Sequence, residues 1–544
     1  MTTILRGGRL FTGTTDSGHE GIEIQHSCMV IKDDVILHIG DESDSPVLQV
    51  RQDGAKEIDL HGHLVLPGFI DSHCHISMLG LALGKLDVKH CKNIDDIRGL
   101  IKDYASANPS LKLILCRGWM QDTTDGVTLA SLLDDLDPRP ILIEANDVHS
   151  TWCNTAALDA MGVQNMPDPL GGEILRDGDG KASGLMLENA SFQIVWPYIA
   201  SQLSRDDKIE NVLRGMKAYA SSGYTGLIDM AMGEEDWEIL QLLKSQGKLN
   251  CRIAAHWLIE PKATTQENLA QVDRAIELNR RFNAETSPDL RIQGIKLICD
   301  GVVDSCTASL CQPYTSNGIS CEPIWTADML APVLQRAQSA NLQCAFHAVG
   351  DNTVKVVIDT IEQFGIPGRR HRIEHMDLTR AEDTPRLGKL GITASIQPMH
   401  SDPAIFSAWP KLVGDSRCKR AFAYKEMADG GAPMAIGTDA PTAPFSALEN
   451  LYVATTRRST INPDSTETIN KNFALPLATA LSAATKGAAR SCFAETWMGQ
   501  LRPGYKADFT VIDTQLKPEA LLKARVTQTW FGGKKVFDFE AQSS

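Results

Sequence analysis

His73 and His75 stand two residues apart at the end of the apolar run LVLPGFI (64–70). On an extended segment, residues i and i+2 point to the same side, so both imidazoles can reach one metal ion. Further along, Lys296 in GIKLICDG, His347 in CAFHAVGD, His375 in HRIEHM and Asp439 in AIGTDAP each lie within or just after another apolar run. Imidazole nitrogens suit Zn²⁺, and a nearby carboxylate can serve as general base. His400, which ends SIQPMH, could reach a substrate, and His371 and Glu374, which flank His375 in HRIEH, could orient an imidazole or form a surface salt bridge. Each residue alone has a plainer reading. With 14 histidines, one HxH pair can arise by chance, a strand lysine usually snorkels or pairs, a core histidine hydrogen-bonds, and Asp439 could open a turn before Pro441. One shared site explains all of them together. The other HxH pair, His61 and His63, precedes its strand and reads as turn residues.

Such residues need elements to hold them at one place. Between residues 63 and 496, strand-like runs such as LILCRGW, PILIEAND, YTGLIDM, CRIAAHWLI, QCAFHAVGD and TASIQPMH alternate with helix-like stretches. Their Val, Ile, Leu and Ala content fits strands buried on both faces of a parallel sheet. That pattern favours a (β/α)8 barrel or a doubly wound sheet, and the lack of a GxGxxG after any such run tilts it to the barrel. Barrel chemistry sits at the C-terminal ends of strands, where these residues fall. If Lys296, His347, His375 and Asp439 mark strands four, five, six and eight, their separations of 51, 28 and 64 residues give about 36 residues per βα unit, near the barrel average. His75 and Lys296 are too far apart for three units, so an insertion is expected at about 105–205. Residues 1–62 and 497–544 read as short strands with turns, the latter joined by a short helix LKPEALLKA, and are expected to form one β domain. Gly532-Gly533-Lys534 reads as a hairpin turn in it, since the spaced glycine of a phosphate loop is missing.

Composition narrows the function. With 53 Lys+Arg against 68 Asp+Glu, the 544-residue chain carries a formal charge of −15, which disfavours nucleic acid as partner. Its 43% hydrophobic and 22% charged content belongs to a cored globular protein. Thirteen scattered cysteines read as reduced thiols, and the absence of CxxC spacing makes Cys74, Cys299, Cys306, Cys311 and Cys344 small core residues. No run reaches membrane-span length and no address signal is visible, so a cytoplasmic protein without a membrane partner is expected. The absence of GxSxG argues against a serine hydrolase.

The motifs GFIDSHCH (68–75), NDVHSTWCN (146–154), PDPLGGEILRD (167–177), GIKLICDG (294–301), HAVGD (347–351), HRIEH (371–375), SIQPMH (395–400), GTDAP (437–441) and GQLRPGYKADF (499–509), in this order, resemble the metal-dependent amidohydrolase superfamily. The finer resemblance is to its amidohydrolase family 3 branch, which includes N-substituted formamide deformylases. It implies a (β/α)8 TIM-type barrel, a flanking small β-sandwich built from both chain termini, and an insertion over the barrel mouth. It further implies that His73 and His75 bind one metal, that Lys296, carboxylated, bridges two, and that His347 and His375 hold the second. Asp439 would touch the metal and act as general base. A site with one metal and no carbamate is the alternative. One or two Zn²⁺ per chain are expected, with Mn²⁺ as second choice. The implied reaction is cleavage of a non-peptide C–N bond in a small, apolar or aromatic N-substituted amide or formamide by metal-bound hydroxide. A lyase or decarboxylase on the same scaffold is the alternative reading, and a non-catalytic scaffold would be expected to have lost ligands that are all present here. Trp119, His149 and His400 are expected to contact the substrate; Asp147-Val148-His149 stands where relatives have Asp-Gly-His. Trp119, Trp152, Phe192 and Trp196 could wall an apolar pocket or form the core of the insertion. The resemblance leaves room for a homodimer.

Overall fold

The structure, a computed structural model, describes residues 2–12, 24, 26–146, 149–169 and 171–543. Asp147, Val148 and Leu170, which belong to two of the motifs quoted above, lie outside the described residues. The chain divides into two compact units, Met1–Ile76 with Met216–Ser544, and Ser77–Gly215.

The first unit contains eight consecutive parallel strands: β1 (Phe69–Cys74), β2 (Tyr224–Met232), β3 (Arg252–Leu258), β4 (Leu290–Ile298), β5 (Gln343–Ala348), β6 (Arg372–His375), β7 (Thr393–Ile396) and β8 (Met434–Ile436). Each pairs with the next, from β1 with β2 through β7 with β8. Just past β8 the sheet is drawn shut on β1: the Asp439 amide donates to the His73 carbonyl at 2.7 Å, and the Asp71 carboxylate accepts the Thr438 amide at 2.9 Å and its hydroxyl at 2.6 Å. This is a (β/α)8 barrel, and the numbering expected for Lys296, His347, His375 and Asp439 is the observed one.

Two antiparallel-rich sheets accompany the barrel in the same unit. One has four strands, all from the first 59 residues. The other joins Arg9–Leu10 and Leu64–Pro67 to Phe509–Asp513, Arg525–Phe531 and Lys534–Asp538, so both chain ends share it. Leu5, Ile31, Val65, Val511 and Trp530 fill one apolar cluster drawn from both sheets. The run LVLPGFI, expected as a single strand, breaks at Gly68 into a sheet strand and β1. A Cβ at Gly68 would lie 2.1 Å from Thr225 Oγ1, so only glycine passes this crossing. Gly532 and Gly533, at φ +54° and +70°, form the two-residue hairpin turn that a primed turn requires. Arg252 on β3 ties the barrel to the shared sheet through Asp508, with Nε donating to Oδ2 at 2.8 Å. The expected helix LKPEALLKA is a tight 3₁₀ stretch, Pro518–Lys523, opened by proline.

The second unit has its own six-stranded sheet, including Ile114–Trp119, Ile141–Ala145, Ser150–Cys153 and Ala182–Glu188, and its own apolar clusters. Two of the strand-like runs of the sequence, LILCRGW and PILIEAND, belong here and not to the barrel. No helix among the described residues is long and apolar enough to cross a membrane.

Candidate metal centre

His73 leaves the end of β1 and His75 follows it, and the Nε2 atoms of both lie near one oxygen, Asp439 Oδ1, at 3.2 Å and 3.0 Å. His75 and His73 rings are 5.5 Å apart, His73 and His375 4.9 Å, and His347 and His375 4.3 Å. Five imidazoles, those of His73, His75, His347, His375 and His400, thus gather around one carboxylate at the C-terminal ends of β1, β5, β6, β7 and β8. Ligand atoms of His73, His75 and Asp439 lie within 4.8 Å of one another, as do those of His375, His400 and Asp439.

Local backbone geometry aims two of these groups. In β6, strict alternation would put Glu374 and His375 on opposite faces. His375 has φ +75° and Met376 +56°, conformations unusual for non-glycine residues, and the turn brings the His375 ring back toward His73. Asp439 has φ +56°, just after Gly437 and Thr438. Strained residues at such strand ends persist where the surrounding structure fixes them, which is common in active sites.

Beneath the imidazoles lies a hub of buried charge. His73 Nδ1 bonds Glu374 Oε2 at 2.9 Å, which leaves Nε2 directed at Asp439. Arg372 Nε donates to Glu374 Oε1 at 2.7 Å, and its Nη atoms donate to the Ser72 carbonyl, Ser395 Oγ and Ser491 Oγ at 2.6–2.9 Å. Burial would raise the Glu374 pKa, but the Arg372 guanidinium and the bond from His73 hold it well below the usual range. Burial likewise acts upward on Asp439, yet His73 and His75, both at hydrogen-bond distance, hold its pKa well below the usual carboxylate range. A carboxylate–histidine pair of this kind fixes the ring tautomer and raises ligand basicity.

Lys296 on β4 is 2% exposed, and its Nζ has no hydrogen-bond partner among the described residues. Burial lowers its pKa, against the pull of Glu374 and Asp439, toward the neutral amine with which CO₂ can combine. Burial pushes the His347 pKa down to about 3 and that of His375 well below its ordinary value, so both rings favour the neutral form that can ligate. Neutral imidazoles, an ionised carboxylate and an orphaned lysine nitrogen are a donor set that fits one or two divalent ions.

The structure therefore brings together His73, His75, His347, His375 and Asp439, with His400 beside them. Trp119 and His149 lie in the second unit. Trp119 is 1% exposed and packs on Trp152 at 5.8 Å, in a core cluster of that unit; this is the placement of a core side chain. His149 Nδ1 bonds Glu188 Oε2 at 2.9 Å, and its ring meets Phe192 edge-on. His371, a candidate to orient an imidazole, instead accepts the Cys344 amide at 3.1 Å within the core. Cys306 is only half-buried and Cys311 exposed, so these two are not the core residues expected; they sit on the loop after β4, outside the apolar interior that holds Cys74, Cys299 and Cys344. Arg372, which holds Glu374 in place, is not among the residues expected at the site. The only sequence signal for Arg372 is its i, i+2 relation to Glu374 in HRIEH.

Metal-ligand-type side chains gathered at the C-terminal ends of the strands stand where barrels of this kind carry their active sites. Residues 56–537 match the model of the amidohydrolase family. The chain belongs to that family, in its family 3 branch, and is a hydrolase by membership. It is 28% identical to the protein LONG AFTER FAR-RED 3 of Arabidopsis thaliana, over 94% of this chain and 88% of the relative. It is 22% identical to an N-substituted formamide deformylase of Arthrobacter pascens, over 90% of this chain and 91% of the relative. Among solved structures, an uncharacterized metal-dependent hydrolase from Pyrococcus furiosus superposes with a TM-score of 0.78 at 25% identity, covering 95% of this chain and all of that one.

Proposed function

We propose that this chain hydrolyses the C–N bond of a small N-substituted amide or formamide, with Zn²⁺ as the favoured ion. The observation that carries the proposal is the approach of His73 and His75 to a single oxygen of Asp439, beside the buried Lys296 Nζ, unpartnered among the described residues. The formamide class is supported by the relative from Arthrobacter pascens, aligned along nine-tenths of the chain.

In this reading His73 and His75 would hold one ion and His347 and His375 a second, and Lys296, if carboxylated, would offer carboxylate oxygens in place of an ammonium that cannot ligate. The chemistry such an ion would supply when bound is a water acidified to a pKa of about 7 and polarisation of the substrate carbonyl. Asp439 turns Oδ1 to His73 and His75 and Oδ2 toward His400, 3.7 Å away. Oδ2 takes the proton from the attacking water and returns it to the departing nitrogen, which leaves as a neutral amine. Glu374 and Arg372 keep the His73 ring in one orientation throughout.

The test is product analysis in H₂¹⁸O with a panel of N-substituted formamides and acetamides. Formate or acetate carrying ¹⁸O, released in equal amount with the amine, is the expected result. Release of CO₂ without ¹⁸O in a carboxylate product would replace hydrolysis with a lyase reaction.

A further inference from the structure

Four of the five imidazoles around Asp439 have a place in the reading above; His400 does not. It is carried by a short 3₁₀ turn, Pro398–Ser401, that follows β7. The turn is fastened on both sides. Asn450 Oδ1 accepts the Met399 amide at 3.3 Å, Ser401 Oγ donates to the Pro398 carbonyl at 2.7 Å, and Asp402 accepts the Thr460 amide at 2.7 Å. His400 is thus presented on rigid backbone. Its ring lies parallel to His375, at 6° and 5.7 Å between centroids.

Among the described residues the contacts of His400 are long ones. Nε2 is 3.4 Å from Thr442 Oγ1 and 3.7 Å from Asp439 Oδ2, both longer than a good hydrogen bond. Yet its ligand atom and those of His375 and Asp439 lie within 4.8 Å of one another. A mostly buried imidazole with such long contacts, beside two other ligand-type groups, is arranged for an ion between them.

We infer that His400 is a ligand of the second metal ion, completing with His347 and His375 a set of three imidazoles beside Asp439. The inference rests on the reading of His347 and His375 as ligands. Catalytic zinc commonly takes three protein ligands and keeps one position open. His347 and His375 alone supply two, so the second ion would otherwise depend on the bridging groups for the rest.

The experiment is metal content and affinity, by elemental analysis and equilibrium dialysis with Zn²⁺, on the wild-type chain, His400→Asn and His400→Gly, with the Co²⁺-loaded proteins compared by visible absorption and folding checked by circular dichroism. The wild type is expected to hold two equivalents. His400→Asn should keep the first, lose the second and change the Co²⁺ spectrum, and added imidazole should restore the second equivalent to His400→Gly. Should the wild type bind no metal, the underlying reading of the centre fails and this inference with it. If the wild type binds two ions and the His400 variants bind two with unchanged affinity and spectrum, even with a raised KM, His400 is no ligand and only this inference is overturned. A variant too unstable to assay is judged by imidazole rescue of His400→Gly, where failure to regain the second ion counts against the inference.

Discussion

Asp439 and Glu374 are both buried carboxylates bonded to His73, but they do different work. Asp439 faces the centre, where a positioned base contributes about 10²–10⁴-fold to rate. Asp439→Asn keeps the shape and a potential ligand oxygen while removing the base, so kcat should fall by about 10²-fold or more with KM and metal content little changed. Steady-state kinetics and metal analysis on one preparation check this; near-normal kcat would remove Asp439 from the chemistry. Glu374 acts through His73 Nδ1 and neutralises Arg372, which is fully buried. Glu374→Gln leaves that guanidinium without its counter-charge, which costs about 3–5 kcal/mol when a buried pair loses one member. Metal affinity should weaken about 10–100-fold, the scale for loss of a group that orients a ligand. Denaturant titration and metal dialysis read the two effects separately, and an unchanged value in both would contradict the assigned role. At this scale the ligand-type residues were legible because strand-end position and i, i+2 spacing are local properties. Glu374 was legible only as a choice between orienting an imidazole and forming a surface salt bridge; burial, a tertiary property, settles that it is no surface residue. Arg372 was invisible for the same reason, since a charged residue in a strand reads as exposed until its partners from β1, β7 and the segment after β8 are known.

The closure of β8 onto β1 is the element on which the centre depends. Gly437 passes so near His73 that a Cβ there would lie 2.5 Å from the His73 amide nitrogen and 2.6 Å from its Cβ. Gly437→Ala must push the two strands apart, and with them His73 and Asp439; overpacking of this kind costs about 1–3 kcal/mol or more. A lower Tm together with reduced metal content is expected. Gly99→Ala, in the helix Ile94–Ala107 with open space around the site, serves as the control and should be neutral or slightly stabilising. Equal behaviour of the two variants would mean that the closure does not position the metal ligands. The order of the barrel strands was legible from the apolar runs, including which runs carry Lys296, His347, His375 and Asp439. Membership was not: LILCRGW and PILIEAND have the same buried-strand composition as the barrel runs but pair in the sheet of the second unit, and period and composition carry no information on partner. The split of LVLPGFI at Gly68 was missed because a continuous apolar run gives no sign of where a strand changes sheet.

On the scale of the molecule, both chain ends meet in one sheet, and β3 of the barrel is pinned to that sheet by the buried Arg252–Asp508 pair. The similar strand texture of the two termini announced that meeting; the ion pair that secures it did not show, since 256 residues separate its members. A fold that spends so many buried polar groups on one point makes a single demand of the assembled chain, that its hydrolysis require a metal ion there. The direct measurement is amine release from an N-substituted formamide by one preparation assayed as purified, after removal of metal by a chelator, and after return of Zn²⁺ or Mn²⁺, with metal content determined at each stage. The account predicts one to two equivalents per chain at the start, loss of activity in step with loss of metal, and recovery on its return. Full activity in chain shown by elemental analysis to be metal-free would contradict it.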